Sequence, residues 1–232
     1  MAVPEHVGII MDGNRRLSRR LLRNPLKGHE WGRDKLKEVL DWCRDLGIKE
    51  LTVYAFSLQN FGRPKEELDH IMNLFREAAE EYFSRREELN KHGISIRFLG
   101  RKELLPADVQ ESVRKLEEVT RHNKPYRMNI CMAYGGREEL IDAIKDIGTE
   151  IESGKLGADQ VSAEVIEEHL YMSDEPDMII RTGGERRTSN FLIWQSWYSE
   201  WFFVDTLWPE FSKDEFVQCI NEYSERQRRY GK

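Results

Sequence analysis

Short apolar runs alternate with longer amphipathic stretches along most of the chain. Five runs have the length of a β-strand and are apolar almost without interruption. They span residues 6–11, 50–56, 94–99, 127–133 and 177–181. Unbroken apolarity is typical of strands that are covered on both faces, as in a parallel sheet. The pattern therefore predicts five strands of a mainly parallel central sheet.

The stretches between these runs have apolar residues three and four positions apart and predict helices. They span residues 34–46, 64–90, 108–122, 137–153, 163–171 and 213–229. Gly47 follows the first stretch, where glycine commonly ends a helix, and Pro64 begins the longest. The alternation predicts an α/β fold with helices around the sheet, in a single domain over residues 1–232.

Composition and charge narrow the class of protein. The 232 residues are 39% hydrophobic and 34% charged, and the net charge of −6 argues against general nucleic-acid binding. Arginines nevertheless cluster within residues 15–23 and 181–187, which indicates recognition of a discrete anion such as phosphate. Three scattered cysteines and the lack of a signal peptide or membrane span predict a cytoplasmic protein.

A polar motif follows the first predicted strand, at the edge where α/β sheets bind ligands. Its members are Asp12, Gly13, Asn14, Arg15 and Arg16. The carboxylate can bind a divalent cation, while the backbone amides and guanidinium groups can hold a diphosphate. An Asp-Gly-Asn turn without a ligand is the alternative.

A second candidate segment follows the second predicted strand. Ser57, Asn60 and Arg63 offer a hydroxyl, an amide and a cation where a strand meets a helix. They could bind an anion and relay a proton. Alternatively, Ser57 or Asn60 only caps the helix and Arg63 is solvated.

Two further segments lie near the end of the chain. Arg181 and Arg187 flank a glycine pair, with Ser189 behind them, and can close around one diphosphate. A glycine turn with exposed arginines is the alternative. Glu200 lies in the aromatic run 191–208, so its carboxylate is paired, bound to a metal or exposed at a strand edge.

Together these segments resemble the cis-prenyltransferases of the undecaprenyl diphosphate synthase family. The resemblance runs from His6 to Gly231 and rests on HVGIIMDGNRR, Gly28-His29, LTVYAFS with Asn60 and Arg63-Pro64, YGGR, RTGGE and RQRRYG. It implies a parallel sheet with a hydrophobic tunnel and an enzyme that joins an allylic prenyl diphosphate to isopentenyl diphosphate. Family members are typically dimers, so it also implies a homodimer, and the lipid product implies peripheral contact with a membrane.

The resemblance also implies roles for individual residues. Asp12 with Mg²⁺ would assist departure of the allylic diphosphate, and Asn60 would accept a proton, with Ser57 and Arg63 around it. Glu200 would complete the metal site, and Arg229 would reach across a dimer interface. The implied substrate-binding residues are Gly13, Asn14, Arg15, Arg16, Leu17, His29, Ser57, Phe61, Arg63, Arg181, Arg187, Thr188, Ser189 and Arg229. Candidates for the tunnel wall are Met72, Phe75, Ala79, Tyr82 and Phe83.

Several positions depart from the bacterial pattern of this family. Leu17 and Phe61 replace tryptophans, Gln59 a glutamate, Ala133 an asparagine and Arg186 a histidine. Pro25 replaces a diphosphate-binding arginine, for which the nearby Arg23 could substitute. The lost hydrogen-bonding groups leave open an irregular condensation with dimethylallyl diphosphate as the acceptor. A non-catalytic subunit of a two-component prenyltransferase is another alternative, but Asp12, Arg16 and Arg181 are retained, which favours catalysis.

Overall fold

The computed structural model describes residues 2–226 of the chain. Within that range, six parallel strands form one sheet in the order β3-β4-β2-β1-β5-β6. The strands are β1 (His6–Ile10), β2 (Glu50–Ser57), β3 (Ile94–Leu99), β4 (Tyr126–Tyr134), β5 (Met178–Arg181) and β6 (Glu200–Phe203). The parallel α/β architecture predicted from the sequence is confirmed.

Eight α-helices of the described range surround this sheet. They are α1 (Asn14–Arg20), α2 (Pro25–Leu46), α3 (Lys65–Ser84), α4 (Arg86–Lys91), α5 (Ala107–Thr120), α6 (Gly136–Glu152), α7 (Ala163–His169) and α8 (Lys213–Glu225). Gly47 ends α2 in the left-handed conformation, as predicted. None of these helices is both long and apolar enough to cross a bilayer.

Four elements differ from the sequence prediction, and one of them is α1, because no helix was predicted over residues 14–20. The single helix predicted over residues 64–90 is divided into α3 and α4, because the backbone of Arg85 leaves the helical conformation (φ −98°, ψ 17°). Helix α2 begins at residue 25 rather than 34, where the Asn24 side chain accepts a hydrogen bond from the Leu26 amide. Strand β6 was not predicted.

The strand order places one switch point beside β1. The chain leaves β1 for β2 on one side and returns to β5 on the other, with Ile10 opposite Arg181. Ligands of such sheets bind outside the carboxyl ends of the strands at this kind of position. The segments that follow β1 and β5 therefore meet at the expected ligand site.

An apolar cavity of about 680 Å³ extends from this edge between the sheet and α3. Its polar end includes Asp12, and its far end is lined by Ile71, Phe75, Ala79, Tyr82, Leu116 and Met128. Met72 and Phe83, two of the predicted wall residues, are not among its lining. Three of the five predicted positions on α3 thus face the cavity, because only one side of the helix is turned toward the sheet.

Candidate active site

Asp12 lies two residues beyond β1 and is held between two arginines. Its Oδ2 accepts a hydrogen bond from Nη2 of Arg181 at 2.9 Å, and its Oδ1 is 3.1 Å from Nη2 of Arg16. The Arg181 side chain is 3% exposed, whereas that of Asp12 is 29% exposed and lines the cavity. A buried cation therefore fixes a carboxylate that remains accessible from the cavity.

The backbone around Asp12 is fixed by the segment that follows β5. The Thr182 hydroxyl accepts a hydrogen bond from the Asp12 amide at 3.2 Å and donates one to the Asp12 carbonyl at 2.9 Å. Gly13 has a φ of 121°, and a Cβ atom there would lie 2.9 Å from the Leu207 Cα. Gly183 has a φ of 87°, and its Cβ would overlap the Arg16 guanidinium. Both glycines are needed because the two loops pack closely at these points.

The loop after β5 wraps around the Arg181 side chain. Nη1 of Arg181 donates to the Ser189 hydroxyl at 2.6 Å and to the Arg187 carbonyl at 2.5 Å. Its Nε is buried and has no hydrogen-bond partner among the described residues. Arg187 itself is exposed, pairs with Glu185 at 2.5 Å and lines the cavity with Ser189. The loop thus presents donors suited to an anion at the cavity mouth.

A second charged cluster lies at the same mouth and centres on Glu67 of α3. Its Oε1 is 3.0 Å from Nε2 of His29, 2.9 Å from Nη1 of Arg63 and 3.5 Å from Nε of Arg15. Burial raises the pKa of Glu67, but the hydrogen bond from His29 and the nearby arginines outweigh it, so the pKa lies below its ordinary value. Burial is the main cause that holds the pKa of His29 below its ordinary value; the nearby Arg63 lowers it further, and Glu67 opposes both. Glu67 is therefore an anion in a fixed position, and it orients the side chains of His29, Arg63 and Arg15.

The segment after β2 supplies the remaining polar wall. Residues Leu58–Gly62 form a 3₁₀ turn in which Asn60 Oδ1 accepts a hydrogen bond from the Ser57 amide at 3.1 Å. Ser57, Asn60 and Arg63 all line the cavity. These three residues therefore line the same cavity as Asp12.

Comparisons with known proteins assign the family. The family model for undecaprenyl diphosphate synthases (Prenyltransf) matches residues 10–231. The chain belongs to this family. The enzyme class predicted from the sequence, prenyltransferase, is thereby confirmed.

Relatives of known name share nearly the whole chain. The tritrans,polycis-undecaprenyl-diphosphate synthase (geranylgeranyl-diphosphate specific) of Pyrococcus furiosus is 48% identical over 99% of this chain and 88% of its own. The isoprenyl transferase of Thermus thermophilus is 44% identical over 99% of this chain and 89% of its own. The structure of lavandulyl diphosphate synthase from Lavandula x intermedia, in complex with dimethylallyl diphosphate, matches with a TM-score of 0.94 at 31% identity, covering 99% of both chains.

In this prenyltransferase, the predicted site residues fall into three groups. Those that line the cavity are Asp12, Asn14, His29, Ser57, Asn60, Arg63, Arg187 and Ser189. Those that lie outside its lining are Gly13, Arg15, Arg16, Leu17, Phe61, Arg181 and Thr188. Arg16 and Arg181 contact the site by their ion pairs with Asp12, and Arg15 contacts it by its ion pair with Glu67. Arg229 lies outside the described residues.

Two predicted residues point elsewhere in the folded chain. Leu17 is buried in the protein, and the Phe61 ring packs edge-to-face on Phe56 with centroids 5.0 Å apart. Neither side chain lines the cavity: Leu17 is a buried residue of α1, and Phe61 packs against the core and lines a separate pocket with Met72. Their contact with substrate therefore stays a prediction.

Glu200 is not brought to Asp12 within the chain. It begins β6 opposite Met178, whereas the residue opposite Arg181 is Phe203, at the other end of the strand. The Glu200 carboxylate instead pairs with Arg226 at 2.6 Å. Its role in binding a metal therefore stays a prediction.

The departures from the bacterial pattern have different surroundings. Gln59 lines the cavity, where it can contact a ligand. Ala133 is fully buried with a φ of 48°, a conformation that asparagine adopts more readily than alanine. Arg186 is exposed. Only Gln59 of these three therefore alters the cavity wall directly.

Three residues that contact the site were not singled out by the sequence. Glu67 follows Arg63 by four positions, a spacing that favours an ion pair and could have indicated it. Thr182 braces Asp12, as described above. Trp208 donates its backbone amide to the Asp12 carbonyl at 3.0 Å, and its ring lines the cavity. Nothing in the local pattern around Trp208 marks that contact.

The donor set limits how a metal can bind. Among the described residues, no group of three or more His, Cys, Asp or Glu side chains could hold a metal ion, and Asp12 is the only carboxylate that lines the cavity. Mg²⁺ often takes one or two protein carboxylates and completes its shell from water and substrate phosphates. Asp12 beside two arginines fits that mode of binding, with the diphosphate as co-ligand.

Proposed function

We propose that this prenyltransferase is Mg²⁺-dependent and condenses an allylic prenyl diphosphate with isopentenyl diphosphate in cis geometry. The observation that carries the proposal is the position of Asp12, held by Arg16 and Arg181 at the polar mouth of an apolar cavity of about 680 Å³. A charged mouth and an apolar interior match a substrate with a diphosphate head and a prenyl tail.

The charged residues would act first, on the allylic diphosphate. Asp12 would hold Mg²⁺, which when bound helps to neutralise the departing diphosphate. Arg16 would bind the diphosphate oxygens beside Asp12, while Arg187 and Ser189, which line the cavity, would hold the second diphosphate and the buried Arg181 would position their loop. The donors are oriented before substrate arrives, so they stabilise charge without rearrangement.

The cavity would then protect and direct the condensation. The new carbon–carbon bond forms as the allylic carbon–oxygen bond breaks, and a proton leaves the isopentenyl unit. We assign relay of that proton to Asn60, which lines the cavity beside Ser57, and its final acceptance to the released diphosphate, because a neutral amide is too weak a base to keep it. The apolar wall excludes water that would otherwise capture the allylic cation.

The relatives favour a long primer and a long product. Six of the named relatives are geranylgeranyl-diphosphate-specific undecaprenyl diphosphate synthases at 45–48% identity. We therefore propose geranylgeranyl diphosphate as the allylic primer. The lavandulyl diphosphate synthase is more distant in sequence, at 31% identity, so it gives less support to an irregular condensation.

Product analysis by mass spectrometry tests this function. Purified protein with Mg²⁺ and geranylgeranyl diphosphate is given either isopentenyl or dimethylallyl diphosphate as the acceptor. Elongation with isopentenyl diphosphate is the expected result. Exclusive use of dimethylallyl diphosphate would establish the irregular reaction, and no turnover with any primer would establish a non-catalytic subunit.

We also propose a homodimer. Ile141 and Ile144 of α6 are exposed apolar side chains, as is Ile193, which packs against Gly136 at the start of that helix. An exposed apolar patch of this kind commonly marks a protein interface.

A further inference from the structure

The C-terminal end of α1 has a leucine at a position that is usually glycine. The Leu22 amide donates to the Arg19 carbonyl at 3.1 Å, and the Arg23 amide donates to the Ser18 carbonyl at 2.8 Å. These two hydrogen bonds define a Schellman motif, whose left-handed position is usually glycine. Here that position is Leu22, with a φ of 51°.

Packing does not explain this leucine. Leu22 is 94% exposed and Leu21 is 50% exposed, so neither gains much from burial in the folded chain. A leucine in the left-handed region is also less favourable than glycine. Leu22 therefore has both an unfavourable backbone conformation and an exposed apolar side chain. No contact among the described residues offsets either cost.

The charge around the two leucines is strongly positive. Residues 13–29 contain five arginines and one lysine and no Asp or Glu, although the whole chain has a net charge of −6. Arg15 and Arg16 are engaged at the site, and Arg20 pairs with Glu210. Arg19 and Arg23 are exposed and have no ion pair among residues 2–226. Two free cations thus flank two exposed leucines.

We propose that residues 19–23 dock the protein on an anionic lipid bilayer. Leu21 and Leu22 would enter the boundary between headgroups and acyl chains, while Arg19 and Arg23 would contact anionic headgroups. Two leucines present far too little surface for a stable protein interface, whereas a basic segment with apolar tips suits a membrane surface.

The tip of α1, residues 19–23, lies near the active site. Helix α1 has seven residues, so its tip lies about 10 Å along the helix from the residues at the cavity mouth. A docked tip would hold that mouth near the bilayer into which a polyprenyl product partitions. This consequence rests on the proposed function, but the docking itself does not.

Vesicle flotation tests the docking with the full chain. The parent protein should bind vesicles of phosphatidylcholine with 30% phosphatidylglycerol, bind pure phosphatidylcholine weakly, and lose binding as salt rises. Leu22→Gly should lower the partition coefficient about 10-fold or more. It should leave the melting temperature equal or higher, because glycine suits the left-handed position, and leave turnover unchanged. Leu104→Ala, at another exposed leucine, is the matched control and should bind like the parent.

Each other outcome overturns a specific statement. Equal binding by the parent and Leu22→Gly, or equal binding to neutral vesicles, would refute docking by this tip. Self-association that Leu22→Gly abolishes, without vesicle binding, would assign the tip to a second copy of the chain instead. Turnover without vesicle binding refutes the docking alone, and vesicle binding without turnover refutes the proposed function alone.

Discussion

The ion pair of Asp12 with Arg181 joins a partly exposed carboxylate to a buried guanidinium. Arg181 also donates hydrogen bonds to Ser189 and to the Arg187 carbonyl. Removal of the carboxylate charge nevertheless leaves a buried cation without its counter-ion. The same residue is therefore important both for chemistry and for stability.

We expect Asp12→Asn to lower turnover about 10³-fold or more, because the variant loses the carboxylate that is proposed to hold Mg²⁺. It should also lower the free energy of unfolding by about 1–3 kcal/mol, because Arg181 loses a charged partner. Steady-state kinetics and urea unfolding measure the two effects. Asp45→Asn, which removes the exposed ion pair to Lys213, is the control. Near-parental turnover of Asp12→Asn would exclude the catalytic role.

The lowered pKa of Glu67 predicts that the stability of the fold depends on pH. Its pKa lies below the ordinary 4.5, so the charged cluster contributes stability that is fully present above pH 4.5 and is lost as the pH falls through the lowered native pKa. We expect Glu67→Gln to be less stable than the parent at neutral pH by about 1–3 kcal/mol. The difference should shrink below pH 4.5.

Urea midpoints of both proteins from pH 7 to pH 3 measure that difference. Glu77→Gln on the same helix removes only an exposed contact to Arg33, so we expect a change of about 0.5 kcal/mol or less at every pH. A constant difference between the parent and Glu67→Gln across the range would show that the charge of Glu67 contributes nothing.

At the scale of elements, Tyr82 of α3 lies between two cavities. Tyr82 of α3 and Met128 of β4 line both the main cavity and a second one of about 140 Å³. The Tyr82 ring therefore forms part of the partition at the closed end of the main cavity. A growing prenyl chain cannot pass a packed wall without strain.

We expect Tyr82→Ala to lengthen the longest product by at least one isoprene unit, because it opens the main cavity toward the second. Phe83→Ala is the matched control, since Phe83 lies next to Tyr82 but lines neither cavity, and its products should be parental. Reversed-phase chromatography of the dephosphorylated products measures the length. Parental products from a folded Tyr82→Ala would place the limit at another wall.

The same elements show what the sequence can predict. Five strands were predictable because they are mostly buried and continuously apolar, whereas β6 has only four residues and only Phe202 among them is buried. The position of Asp12 and Arg181 at one edge of the sheet was also predictable, because both lie at the carboxyl ends of parallel strands. The convergence of His29, Arg63 and Glu67 depends on how α2 packs against α3, which no local pattern encodes.

At the scale of the whole molecule, α6 leaves an apolar surface uncovered. Ile144 is 63% exposed, and Ile141 lies one turn before it on the same face. Ile193 packs against Gly136 at the beginning of this helix and extends the surface. Association of two copies would remove these side chains from water, which is the physical basis of the proposed homodimer.

We expect Ile144→Glu to shift the protein from dimer to monomer, because burial of an unpaired carboxylate in the interface is strongly unfavourable. Light scattering after size-exclusion chromatography measures the mass, and Leu104→Glu, at an exposed leucine between β3 and α5, should remain dimeric. The family resemblance implies that Arg229 reaches across the interface, so the monomeric variant should also lose turnover while it keeps its fold. A dimer that survives Ile144→Glu would place the interface on another surface, and a monomer with full turnover would show that each chain carries a complete site.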